Sequence, residues 1–90
     1  MLELIKQELR ISHNKLDSSI TLAIASARAE LVRAGVPNEV ANDEDNVLIT
    51  QAVSAYCKYI LTDDSAIQDR YFESFQYQLD NLRKRNWVVE

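Results

Sequence analysis

One glycine, one proline, one cysteine and one histidine occur among the 90 residues. Each shortage closes off a class of chemistry. With a single glycine, no glycine-rich loop can cradle a phosphate. With only Cys57 and His13, there is no internal disulfide and no zinc tetrad of those ligands. An unpaired thiol fits a reducing, intracellular setting. No Asn-Gly or Asp-Gly turn and no clear alternating run marks a strand. The opening Met1-Leu2-Glu3-Leu4-Ile5-Lys6 lacks the long apolar run of a signal peptide, and no stretch approaches the length of a membrane span. Positive charge is scarce too. The net charge of −4 speaks against broad binding to nucleic acid or to an anionic membrane, which needs a positive face.

What remains is apolar and helical. Hydrophobic residues make up 47% of the chain, enough for a packed core. Ninety residues form one domain at most. A domain so small buries a modest fraction of its surface and often gains stability by assembly. The spacing predicts an all-α fold, a small bundle of about four helices within a single domain 1–90. The first helix runs from Leu2 to Arg10, with Leu2, Ile5 and Leu9 on one side. A polar connection, Ser12-His13-Asn14-Lys15, follows, with Asn14 as N-cap of the next helix. That long, central second helix runs from Lys15 to Ala34 and stops at Gly35-Val36-Pro37. An acidic loop, Pro37 to Glu44, carries Glu39, Asp43 and Glu44 and is expected to be mobile. The third helix runs from Asp45 to Leu61. Ser65 and Gln68 have capping-box spacing and open a fourth that reaches Arg85.

The second helix has two apolar stripes. Leu16, Ile20, Ile24, Ala27, Leu31 and Ala34 form one at three-and-four spacing. Leu22, Ala25, Ala29 and Val32 form another, nearly opposite at about 100° per residue. A helix with two apolar faces must be covered twice, and the second cover is either helix one or another subunit. On the third helix Ile49, Ala52, Val53, Tyr56 and Ile60 read as core. On the fourth, Tyr71, Phe72, Phe75, Leu79 and Leu82 do. Tyr59 and Tyr77 fall off these stripes, so they either lie flat on the surface or make subunit contacts.

Candidate chemistry is sparse. Asn42-Asp43-Glu44-Asp45-Asn46 has carboxylates, but a calcium loop of the EF-hand type needs a central Gly that is absent. Asp63-Asp64 reads as loop and helix cap, and Cys57 as a small core hydrophobe. A helix-turn-helix needs a short turn and a basic second helix. Here the gap is roughly ten residues and the third helix carries only Lys58. Arg83-Lys84-Arg85 complements a helix dipole, with partner docking as the next reading and DNA last. These residues point to no enzyme, no cofactor, no metal and no sequence-specific nucleic acid. The last residues, 86–90, form a tail with Trp87, Val88 and Val89, an apolar group unneeded by a solvated end. It serves as a docking element or folds back onto the bundle.

The order Ile5-Lys6, Leu9-Arg10-Ile11, a polar turn, then Asp17, Ile20, Ile24, Ala27 and Leu31 resembles the phage head–tail connector family. Ala52-Val53 with Tyr56 and Tyr59 looks like that family's third helix, and Tyr71, Leu79, Leu82 and Arg83 like its C-terminal helix. One departure is the turn, often acidic in the family, which here has His13 and Lys15. The resemblance implies a structural role at the virion neck for a protein made in the bacterial host cytoplasm. Copies assemble as a ring beneath the portal, extend the DNA channel and support tail attachment through a tail-side adaptor or stopper protein. On that reading Leu22, Ala25, Ala29, Val32, Tyr59 and Tyr77 meet another subunit. Arg83, Lys84, Arg85, Trp87, Val88 and Val89 dock on portal, and Glu39, Asp43 and Glu44 face the channel. The rival from another class is a small helical regulatory adaptor that binds a protein partner.

Overall fold

The computed structural model describes residues 1–10, 12 and 14–85. Within them the chain forms five helices: α1 (Leu2–Glu8), α2 (Asp17–Arg33), α3 (Asn38–Ala41), α4 (Val47–Leu61) and α5 (Ser65–Arg83). No strand occurs among the described residues, in keeping with the all-α bundle. Ile11, His13 and the tail 86–90 lie outside them.

Seven residues are too few for a helix to stand alone. α1 therefore depends on what it buries. Ile5 is fully enclosed, with Leu2 and Leu9 packed beside it. Arg10 then enters the left-handed region at φ 57°, which costs a side-chain-bearing residue about 1–2 kcal/mol and takes the chain out of the helix.

The connection into α2 is organised by Lys6, which is 5% exposed. Its Nζ donates to Asn14 Oδ1 at 2.9 Å and lies 2.9 Å from Asp17 Oδ1. Asn14 is therefore not the N-cap that its position suggests. Leu16 holds the cap position and its side chain makes no cap bond. The reason is energetic: a side-chain cap contributes about 1 kcal/mol, whereas a buried ammonium without partners costs far more.

α2 buries Ile20, Ile24, Ala27 and Leu31, the middle of the stripe expected of it, together with Ala23, which the stripe did not include, while Ala34 is half-buried. Leu16 stays outside the helix and is exposed. The helix ends in a Schellman arrangement. Gly35 adopts φ 113°. Its N–H donates to Val32 O at 3.0 Å, and Val36 N–H donates to Leu31 O at 3.0 Å. Val36 is thereby tucked into the core at 2% exposure.

The segment Pro37 to Glu44 differs from the uniform acidic loop expected. Its first half is α3, one helical turn, and Ala41 is fully buried there with Val40 packed against the core. Two apolar neighbours set among carboxylates and amides are enough to pin the turn down. α4 then starts two residues after Asp45, capped by Asn46, whose Oδ1 accepts from Leu48 N–H and Ile49 N–H at 3.0 and 3.3 Å. At α5 the start at Ser65 is as read, but the capping box is not made. Asp64 Oδ1 accepts from Ala66 N–H and Ile67 N–H. Gln68 Nε2 instead donates 3.0 Å to Tyr59 O, tying α5 to the end of α4. Helical geometry stops at Arg83 rather than Arg85.

α4 and α5 pair as a hairpin, α2 packs across α4, α1 rests on both α2 and α4, and α3 rests on α2. The shortest dimension is 18 Å, room for two layers of helices about 10 Å across, not three. Removing the charge but keeping the stem in Lys6→Met leaves Asn14 and Asp17 facing each other without their cation. Because Asp17 is one-third exposed, the expected loss lies between surface and buried pairs, about 2 kcal/mol, read from the urea midpoint at an unchanged slope.

Candidate interaction surfaces

Two layers leave the outer side of α2 uncovered. Leu22 is 69% exposed and Val32 38%, with Ala25 and Ala29 open between them. The stripe is not one continuous face. Ala25, Ala29 and Val32 floor a groove of about 670 Å³, closed at its sides by Met1, Leu2, Asn38, Asn42 and Glu44. Leu22 belongs to a second groove of about 310 Å³ toward α4, with Tyr56, Ile60 and Leu61. Of the two covers considered for this stripe, helix one supplies part through Met1 and Leu2.

The larger groove carries charge on its rim. Arg28, 18% exposed, has one guanidinium nitrogen 3.5 Å from Glu44 Oε1 and 3.7 Å from Met1 Sδ. Its Nε is buried without a hydrogen-bond acceptor among the described residues. Arg33 sits further along, 2.6 Å from Glu30 and largely exposed. Glu44 also lies 3.4 Å from the Met1 ammonium. That ammonium first, and Arg28 after it, hold the Glu44 carboxyl below the usual carboxylate range. Glu39 and Asp43 are exposed, and Asp43 Oδ1 accepts from Asp45 N–H at 2.9 Å. Glu44 is thus fastened to the groove while the other two acidic side chains point to solvent.

The two off-stripe tyrosines part company. Tyr59 is half-buried in an aromatic chain, 6.0 Å from Tyr56 and 4.9 Å from Phe72 between ring centroids. Tyr77 is 71% exposed and lines a groove of about 450 Å³ with Leu48, Gln51, Lys84 and Arg85. Arg83 turns back to Asp80 at 2.9 Å. Two cations of the basic cluster therefore stand beside exposed apolar surface, and the third closes a pair along its own helix. Trp87, Val88 and Val89 lie outside the described residues. Lys58 pairs with Glu8 at 3.2 Å and lies 5.8 Å over the Tyr71 ring.

Sequence reasoning passed over Arg28 and took Phe72 for core. Arg28 falls on a polar flank of α2, and only the arrival of the 42–46 connection turns it inward. Phe72 belongs to a periodic stripe yet remains 41% exposed, since α5 has a neighbour on one side only.

A family model described as phage connector protein matches residues 1–87. No curated protein and no solved structure matches the chain.

Among the described residues, no group of His, Cys, Asp and Glu is placed to hold a metal ion, and no helix is long and apolar enough to cross a membrane. The thiol of Cys57 is fully buried, and burial pushes its pKa up to about 12. Only the thiolate is nucleophilic. Native protein at pH 8 is expected to resist a thiol-selective aromatic disulfide, with full reaction after addition of denaturant. Reaction of the folded protein at the rate of a free peptide thiol would place Cys57 at the surface.

Proposed function

The chain belongs to the phage connector protein family, and on that premise we propose that it is a structural ring subunit of the virion neck. The single observation that carries this reading is the match across residues 1–87. In this reading copies of the chain assemble below the portal, extend the DNA channel and present a surface to a tail-side adaptor or stopper protein. The exposed positions on α2, Leu22, Ala25, Ala29 and Val32, meet a neighbouring subunit. A ring closes through head-to-tail contacts, which need two different faces on one subunit, and a two-layer bundle has outer faces to offer. The end of α5, with Lys84 and Arg85 beside Leu48 and Tyr77, docks on portal together with the tail. Glu39 and Asp43 line the channel, where negative charge repels phosphates and keeps DNA from sticking as it passes, while Glu44 is held at the α2 groove.

The test is to mix the purified protein with isolated portal and image the product by electron microscopy. A closed ring of additional density on one end of the portal is expected. Free portal beside monomeric protein across a concentration series would overturn the ring reading. Within the ring, Ala29→Leu is expected to keep the melting temperature, because Ala29 is exposed, and to reduce assembly by adding bulk where a neighbour approaches. Light scattering and calorimetry on the same variant separate the two effects.

A further inference from the structure

The groove on α2 has a small-residue floor and a cationic rim, and the chain carries a matching surface elsewhere. On the outer side of α5, Asp69 and Glu73 are one helical turn apart and both exposed. Neither has an ion-pair partner among the described residues. Phe72 at 41% and Tyr77 at 71% exposure stand beside them. Two carboxylates without ion pairs next to two partly exposed rings form a surface that the fold uses only in part, through the contact of Phe72 with Tyr59.

We propose that the α2 groove of one subunit receives the outer face of α5 from a second copy, with Asp69 and Glu73 against Arg28 and Arg33. The assignment rests on the ring reading and names the faces that meet. Three observations support it. Arg28 and Arg33 both line the groove, from its two sides, about 7.5 Å apart along the axis and about 140° apart around it, and Asp69 and Glu73 are one turn apart on α5, about 6 Å along its axis. Arg28 Nε has no acceptor within its own subunit's described residues. The Glu44 contacts to Arg28 and to Met1, at 3.5 and 3.4 Å, are long, and Glu44 is 62% exposed. An incoming carboxylate can compete with Glu44 for the exposed part of the Arg28 guanidinium, and Ala25 and Ala29 let an aromatic ring approach the helix closely. The geometry also favours a chain of copies over a closed pair. α4 contacts both α2 and α5, while α2 and α5 have at most marginal contact with each other. Donor and acceptor faces thus lie on different flanks of the subunit, an arrangement that suits a heterologous contact.

Charge exchange tests the pairing. Arg33 and Glu73 are both exposed, so Arg33→Glu and Glu73→Arg are expected to fold with the parent melting temperature. Each alone is expected to weaken self-association by about tenfold, through like-charge contact in the interface. The double variant Arg33→Glu/Glu73→Arg is expected to recover association, and the parent's association is expected to weaken as salt rises. Sedimentation of the free protein and electron microscopy of portal-bound rings give the readouts. A second measurement places Ala29→Cys and Phe72→Cys in one chain. Oxidation should yield a ladder of disulfide-linked multimers, with buried Cys57 as a silent background. If the single reversals assemble like the parent, or the double variant is no better than the singles, the pairing is wrong while the ring reading stands. If the parent itself forms no ring on portal, the ring reading fails and takes the pairing with it.

Discussion

A buried ammonium cannot be left without partners, and Lys6 is buried. Its partners, Asn14 and Asp17, come from the turn that follows and from the first residue of α2. This one requirement fixes where α1 ends, how the polar turn folds back and at what point α2 begins. The rest follows in order. With α1 held across the start of α2, Ile5 reaches the core beside Ile20 and Ile24. Met1 and Leu2 come to lie along the outer side of α2. The Asp17 oxygen takes part as an ion pair without an aligned hydrogen bond, so the contact acts through charge more than through direction.

The second constraint is thickness. A bundle 18 Å deep encloses one layer against another, so a helix with apolar residues on two sides keeps one of them in contact with solvent. α2 is such a helix, and α5 shares the predicament through Phe72 and Tyr77. Small domains gain modest stability from their own cores. Association that favours the folded form adds to it by mass action. Surface left open in the monomer is then the part that the proposed assembly would use. This connects the packing to the structural role implied by the family and needs no reacting group anywhere in the chain.

Periodicity made most of the fold legible. The stripe Ile20, Ile24, Ala27 and Leu31, the core positions Ile49, Ala52 and Val53, and the Gly35 stop all follow from spacing and backbone preference alone. What was not legible involves partners distant in sequence. Asn14 has the type and position of a cap, and Gln68 completes a capping box on paper. Each is drawn to a group from another helix, the Lys6 ammonium and the Tyr59 carbonyl. Local rules rank a residue's options, but they do not reveal which buried group elsewhere needs it more. α3 was hidden for a related reason: two apolar residues, Val40 and Ala41, are too few to show a period. Of the candidate surface, the exposure of Leu22, Val32 and Tyr77 was within reach of pattern reading. The inward turn of Arg28 was not, because it depends on where Glu44 arrives.

Glu44 joins these two levels. It belongs to the acidic segment by sequence and to the α2 groove by contact. Its carboxyl is held ionised more firmly than usual, first by the Met1 ammonium and then by Arg28. The anchoring is fully present above the ordinary carboxylate pKa and is lost as pH falls through the lowered one. Salt screens it as well, since the carboxylate is solvated. A latch of this kind orders the 42–46 connection at little cost and can be displaced by a better-placed anion. The acidic segment and the groove are therefore linked through one guanidinium, which Glu44 contacts and the groove wall contains.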